Sequence, residues 1–380
     1  MNQHHLKHQD KINLGAFYTP LEYVRIAWNL IKPFLTKESV ILDSSCGYGN
    51  FLTNDVVCKI KANDIDKVAV EKTKFTFPNI EVFNKNALFN VNRQDFGINK
   101  DDKLFIIGNP PYNDTTSIIR SSIKRDNLII DNDIKTRDYG MSFLLSYAKL
   151  NADVICVLHP LSYLIKKSNF NLLKKFSKSY RLLDGVIIDS STFKDTSKGI
   201  SFPIIIALYI KNKSGMSYEY IKDFNFKTID NKTFSLKDFD FISNYINKYP
   251  LKNKLPNKDD ILFWTMRDIN ALKRNRTFIK EYGYNAIIVD KDKLDYYIYV
   301  DVFKQFSHLI PYYLGNFDVF IDNKMFQKYR TFFIQECLTR NESLKKYIKD
   351  FSEYSTKETK DKIEEYFKTL TKKHYVHKKC

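Results

Sequence analysis

Residues 41–52 read ILDSSCGYGNFL. The apolar, β-branched-rich run SVILD stops at Asp43, and Gly47 and Gly49 follow it closely. This is the pattern of a buried strand that turns sharply, where glycine lets the backbone bend tightly and a ligand lie against it. The dinucleotide fingerprint asks for a third glycine, and Leu52 stands in that place, so nicotinamide and flavin cofactors are disfavoured. The next apolar run, VVCKIKANDID (56–66), ends in acids about twenty residues after Asp43. A carboxylate there can accept both ribose hydroxyls of a nucleoside cofactor, with Asp64 the first choice and Asp66 the alternative. A plain surface turn after a strand would leave the same pattern.

Outward from this turn, short apolar runs alternate with amphipathic stretches. The runs are IEVFNKNAL (80–88), KLFIIGNPPY (103–112), ADVICVLHP (152–160), LLDGVIID (182–189) and FPIIIALYI (202–210). Stretches with helical periodicity, TPLEYVRIAWNLIKPFL (19–35) and MSFLLSYAKL (141–150), lie among them. Such alternation predicts a mostly parallel sheet covered on both faces. A polar segment, 113–140, interrupts it and carries Lys124, Arg125, Lys135 and Arg137. A long loop beside a strand end is more often functional than accidental. Beyond residue 210 the pattern fades into Lys-, Tyr- and Phe-rich sequence. Pro250 and Pro256 flank a polar break that reads as a subdomain joint.

The 380 residues are 43% hydrophobic, enough for a core, and no run approaches the roughly 20 apolar residues of a membrane span. The N-terminus, MNQHHLKHQDKINLG, lacks the apolar stretch of a signal peptide, so a cytoplasmic location is expected. The five cysteines (Cys46, Cys58, Cys156, Cys337, Cys380) are scattered and suggest neither a disulfide framework nor a zinc site. The net charge of +17 suits a polyanionic partner. Abundant Lys, Asn, Ile and Tyr would also arise from an AT-rich genome.

The stretch IIGNPPYND (106–114) ends a buried strand on a rigid polar corner. Together, this corner and the glycine turn resemble the N6-adenine-specific DNA methyltransferases of restriction–modification type. In that family an Asp/Asn–Pro–Pro–aromatic motif ends the fourth strand, and a turn like D-x-x-C-G-x-G-x-F follows the first. GAFYTP (15–20) is similar to the family's upstream cofactor motif, and the motif order is that of the gamma group. The resemblance covers about residues 15–210 and implies S-adenosylmethionine as cofactor. Tyr18 and Thr19 would touch its methionine part or adenine. Asp43 and the backbone at Ser45, Cys46 and Gly47 would bind near its amino-acid end. Asp64, with Ile65 beside it, would hold the ribose, and Asn109 would border the same site. Where the family usually has Asp after the third strand, this chain has Asn86, whose side-chain oxygen can accept from the adenine amino group without charge.

The exocyclic amine of adenine is a poor nucleophile because its lone pair is delocalised into the ring. Two fixed acceptors on its N–H groups draw it towards tetrahedral geometry and turn the lone pair to the methyl group. The Asn109 side-chain oxygen and the Pro110 carbonyl suit this task, and Pro110 and Pro111 stiffen the corner. Alignment then supplies most of the rate, and neither a metal nor a covalent intermediate is needed. A base inside a duplex must be flipped out to reach such a corner. Tyr112 would stack on one face of it, and by the resemblance a second aromatic comes from the region before the seventh strand. Phe193 is the first choice there and Phe202 the second; either could be an ordinary packed aromatic.

The expected architecture is therefore α/β: a Rossmann-like class I methyltransferase domain over 1–210, with a seven-stranded, mostly parallel sheet whose last strand is antiparallel. Residues 211–380 would form a C-terminal DNA-recognition region. LFWTMRDINALKRNRTF (262–278) interleaves Arg267, Lys273, Arg274 and Arg276 with Trp264 and Phe278, a composition suited to phosphate and base contacts and equally to a solvated helix face. With Lys124 and Arg125, these are the candidate DNA-binding residues. The partner is double-stranded DNA, and the resemblance leaves room for a separate cognate restriction endonuclease. Asp322-x-Lys324 echoes a metal-nuclease pattern but is a short match, His4, His5 and His8 could bind a metal but better suit a frayed polar end, and His159, after the fifth strand, suits either a pocket wall or a buried, satisfied ring. Two rivals stand beside the DNA reading: a methyltransferase acting on RNA or on a protein glutamine, and a non-catalytic DNA-binding subunit with this fold.

Overall fold

The computed structural model describes residues 19–112, 129–193, 202–251, 255–266, 276–314, 318–348 and 351–374. The chain forms two compact units, Met1–Leu236 and Lys237–Cys380.

The first unit is built on a nine-stranded sheet of order β3-β2-β1-β4-β5-β7-β6-β8-β9. Its central strands, β1 (Ser39–Asp43), β4 (Lys103–Gly108), β5 (Val154–Pro160) and β7 (Pro203–Lys211), are nearly continuous buried apolar runs, as strands covered on both faces must be. Strands β2 (Lys59–Asn63) and β3 (Glu81–Phe83) extend the sheet in parallel from β1. On the other side β4 and β5 continue in parallel, and β7 enters antiparallel between β5 and β6 (Tyr180–Asp189). This is the topology of the class I S-adenosylmethionine-dependent methyltransferases, with the expected antiparallel seventh strand. The strand count differs. Short β8 (Phe226–Thr228) and β9 (Thr233–Phe234) are added beyond β6, so the sheet has nine strands rather than seven. The expected boundary at 210 therefore falls inside the first unit, because Ile221, Phe226, Phe234 and Leu236 are buried in it.

Helix α1 (Leu21–Ile31) buries Tyr23, Val24, Ala27, Trp28 and Ile31, one face at helical spacing, in the cluster that holds Ile41, Phe105, Cys156 and Ile206. The Trp28 indole donates to the Phe51 carbonyl at 3.1 Å and so ties α1 to the chain leaving the glycine turn. Helix α2 (Lys67–Thr76) starts at Asp66, whose carboxylate caps it by accepting from the Val68 amide. Helix α3 (Tyr139–Lys149) is capped by Asp138 and is buried from Tyr139 to Tyr147.

The second unit carries a three-stranded antiparallel sheet, β11 (Leu262–Trp264) between β12 (Phe278–Ile279) and β13 (Ala286–Ile288), and a two-stranded ladder of β10 (Asp240–Phe241) with β14 (Phe320–Ile321). Helices α4 (Leu294–Gln305), α5 (Asn323–Leu338) and α6 (Thr356–Thr371) enclose an aromatic core in which Tyr299 packs on Phe326, Phe333 and Tyr366. The break at Pro250–Pro256 lies inside this unit and is not the joint between the two. Among the described residues no helix is long and apolar enough to cross a membrane.

Candidate active site

Strands β1 and β4 are neighbours, with Leu42 opposite Ile106, so the glycine turn and the NPPY corner leave the sheet side by side. Gly108 makes this close approach possible. A Cβ on it would lie 2.7 Å from Asp43 Oδ1, nearer than any carbon can stand. Asp43 itself is 1% exposed. Its Oδ1 accepts from the Ser45 amide at 3.2 Å, while Oδ2 is buried without a partner. Burial, offset in part by the Ser45 amide and reinforced by the nearby Asp64 charge, pushes its pKa up to about 8.

The turn is held from three sides. The Gly47 amide donates to Asp64 Oδ2 at 2.7 Å, and the Thr73 hydroxyl of α2 donates to the Gly47 carbonyl at 2.8 Å. Gly49 has φ +81°, a left-handed conformation that explains a glycine there. The Cys46 amide donates to the Asn63 carbonyl at 2.9 Å, and burial pushes the Cys46 thiol up, so it packs as a small inert residue. Asn63, the fully buried last residue of β2, was not singled out in the sequence. Its Nδ2 donates to the Ser44 and Lys85 carbonyls, and its Oδ1 accepts from the Lys85 amide, which joins the ends of three strands. The signal was an amide ending an apolar run just before the acids of ANDID.

The two candidate acids separate cleanly. Asp66 spends its side chain on the α2 cap. Asp64 stands half-buried at the end of β2, bonded to the Gly47 and Asp66 amides, and its pKa is raised, chiefly by burial. Ile65 beside it is 54% exposed. Asn86 is engaged on both sides, its Oδ1 accepting from the Leu88 amide at 3.0 Å and its Nδ2 donating to the Ile129 carbonyl at 2.8 Å. One lone pair of Oδ1 is left for a further donor.

At the corner, Asn109 Nδ2 donates to the buried Thr19 hydroxyl at 3.1 Å. This fixes the amide, and its Oδ1 is buried with no partner. Ser45 Oγ is a third buried polar atom without a partner at the same strand ends. Orphaned polar atoms are rare in folded interiors, and three of them at the ends of two adjacent strands make this the candidate place for a polar ligand. Pro110 is buried and Pro111 half-buried. Tyr112 is half-buried; burial pushes its hydroxyl pKa up, and the Asn109 amide beside it pulls the other way.

Phe193 does not show a free face. It is 1% exposed in the core cluster and packs on Tyr23 with ring centroids 6.1 Å apart, as an ordinary packed aromatic does. Phe202 and Tyr112, both half-buried, pack at the edge of that same cluster. His159 lies within β5, not after it. Its Nδ1 donates to the Pro160 carbonyl and its Nε2 accepts from the Tyr209 hydroxyl, and burial pushes its pKa down to about 4, so it is the satisfied interior ring. Asp322 caps α5 through the Met325 amide, a structural use of that side chain. Tyr18, Lys124, Arg125, Arg267, Lys273, Arg274 and His4, His5 and His8 lie outside the described residues. Arg276 is exposed and stacks over the Trp264 indole at 4.3 Å.

The chain resembles a type II methyltransferase. It is 23% identical over 279 residues to the type II methyltransferase M.NspV of Nostoc sp. (strain ATCC 29411 / PCC 7524), a match over 68% of this chain and 57% of that protein. The restriction–modification methyltransferase part of the resemblance read from the two motifs is borne out by this relative, although the chain spans little more than half of its length. No family model matches the chain. Among solved structures, one described as the modification subunit of a type I restriction enzyme from Vibrio vulnificus YJ016 has TM-score 0.42 and 16% identity, with 56% of this chain and 47% of that one covered. A dimethyladenosine transferase from Plasmodium falciparum has TM-score 0.35 and 15% identity, covering 52% of this chain and 64% of its own.

Proposed function

We propose that the chain transfers a methyl group from S-adenosylmethionine to N6 of adenine in a specific double-stranded DNA sequence. The observation that carries this reading is the Asn109 amide. Thr19 holds its nitrogen, and its oxygen is left buried and unpartnered at the strand end. An acceptor fixed in advance is what a weakly nucleophilic exocyclic amine requires. When bound, S-adenosylmethionine supplies an electrophilic methyl on a positively charged sulfur. Asp43, with its free Oδ2, and Ser45, with its free Oγ, offer a carboxylate and a hydroxyl to a cationic amino-acid end. Asp64 remains the acid for the ribose, since Asp66 is consumed by its helix. The Asn109 oxygen and the Pro110 carbonyl orient the amine, which loses a proton once it has gained the methyl.

The base would leave the duplex to meet Tyr112. For its second stacking surface, Phe202 is favoured over Phe193 because it retains exposed surface. The second unit would supply target recognition, with Arg276 on Trp264 among its contacts, and a cognate restriction endonuclease would be a partner in the cell.

The test is modification-sensitive sequencing of genomic DNA from a methylation-free bacterial host expressing the chain or its Asn109→Ala variant. One N6-methyladenine motif, present only with the intact chain, is the expected result. Unmodified DNA from a soluble protein that binds cofactor would move the substrate to RNA or protein. The variant should lose rate with little change in DNA affinity, and equal loss of both would contradict the role given to Asn109.

A further inference from the structure

The catalytic corner touches a group of residues to which the chemistry above gives no part. Tyr163 is a buried ring stacked on His159, with centroids 5.2 Å apart and planes 7° from parallel. His159 is itself locked by the Pro160 carbonyl and the Tyr209 hydroxyl. The Tyr163 hydroxyl donates to Asp138 Oδ1. The same oxygen accepts from the Gly140 amide at 2.9 Å and the Met141 amide at 3.3 Å, and so fixes the first turn of α3. Gly140 is where this assembly meets the corner. A Cβ there would stand 2.7 Å from the Tyr112 Cβ and 2.6 Å from the Tyr163 oxygen. A glycine in the first turn of a buried helix costs conformational entropy, and this double contact accounts for it.

We propose that Asp138, Gly140 and Tyr163 are positioning residues: a brace anchored on β5 that sets where the Tyr112 ring stands, and thereby the turnover of the bound base. The inference rests on the reading of NPPY as a methyl-transfer corner. It adds that the corner is aimed from outside, through backbone contact at Gly140, by side chains that touch neither cofactor nor base. Tyr112 cannot yield at its Cβ without moving the corner, and Tyr163 cannot swing away while it is stacked on a locked histidine. A methyl group at Gly140 therefore shifts Tyr112. A displacement of about an ångström at a reacting constellation lowers turnover by around a hundredfold.

The experiment measures kcat, KM for a duplex carrying the target sequence, and cofactor affinity, for the full chain and three variants. A duplex with 2-aminopurine at the target adenine reports extrusion and stacking by its fluorescence. Gly140→Ala should lower kcat by about a hundredfold, alter the 2-aminopurine signal, and leave cofactor affinity within about twofold. Tyr163→Phe removes only the hydroxyl and should lower kcat by about three- to tenfold, as the Asp138 cap loosens. In the double variant the missing hydroxyl makes room for the new methyl, so kcat should recover part of the Gly140→Ala loss. Wild-type kcat in both single variants overturns the brace, and so does a double variant no better than the product of the two losses. Should Gly140→Ala fail to fold, Tyr163→Phe decides alone: a fall in kcat at constant KM and cofactor affinity supports the brace, and wild-type kcat overturns it. Loss of cofactor binding and kcat together would make the residues merely structural and likewise overturn it. No methylation of DNA by the wild-type chain is a different outcome, and it strikes the proposed function instead.

Discussion

Replacing Asp43 by Asn tests the central electrostatic feature of the site. The carboxyl has an ordinary value of 3.8 and is pushed up to about 8 by burial. The folded state thus binds its proton more tightly than the unfolded state does. Its contribution to stability is complete below about pH 4 and is lost as pH rises through about 8. Below pH 6.5 His159 obscures this, because its pKa is pushed down to about 4 from 6.5 and its contribution runs with the opposite slope. The useful window is therefore pH 6.5 to 8. At about 1.4 kcal/mol per pH unit for each proton, and with half-ionisation near pH 8, Asp43 should cost the fold roughly 1.5 kcal/mol across that window. The Asn variant keeps the shape and loses the titration. Urea unfolding of a Trp264→Phe background would read the first unit alone, since Trp28 and Trp264 are the chain's two tryptophans. The stability difference between wild type and Asp43→Asn should shift in favour of the variant by about 1.5 kcal/mol, near half a molar in midpoint. Parallel profiles for the two proteins would refute the argument, because Asp43 would then be an ordinary ionised carboxylate.

Saturating S-adenosylhomocysteine should flatten the wild-type slope, because an ammonium beside Asp43 Oδ2 keeps the carboxylate charged; an unchanged slope would put the ammonium elsewhere. Asp64→Ala should weaken cofactor binding tenfold or more by calorimetry, whereas Asp66→Ala should leave affinity alone and cost about 1 kcal/mol of stability through the α2 cap. The reverse pattern would exchange their roles. Phe202→Ala should dim stacking of a flipped 2-aminopurine while the fold stays intact, and Phe193→Ala should cost about 3–5 kcal/mol as a core truncation. A stable Phe193→Ala protein with lost stacking would return that role to Phe193.

What the sequence displayed was what leaves a local pattern. Strands β1, β4, β5 and β7 are buried on both faces, so each is a nearly continuous apolar run that cannot pass for a loop. Strands β8 and β9 have three and two residues, too few to show any period, and the sheet therefore extends past the boundary that the fading pattern suggested. Asp64 was ranked ahead of Asp66 in sequence, but a helix cap and a strand-end acid ask for the same residue; what separates them physically is the bond of Asp66 to the Val68 amide and that of Asp64 to the Gly47 amide. Phe193 illustrates the opposite limit. Its position before the seventh strand was legible, but its packing on Tyr23 depends on α1, about 170 residues earlier in the chain.

The two motifs that carried the reading are also less independent than their spacing implies. Asp43 and Gly108 lie far apart in sequence, yet the carboxylate of one occupies the space where a side chain of the other would stand. The glycine that ends β4 thus serves the acid that ends β1. The same logic recurs at Gly140, whose missing side chain is filled by Tyr112 and Tyr163. In both cases a glycine brings a motif against a partner from another element, so the precision of the corner belongs to the contacts between motifs. Such contacts have no sequence period and no fixed spacing. They appear only when the sheet sets β1 beside β4 and the start of α3 against the corner, and this is why the motifs were legible before the contacts that hold them were.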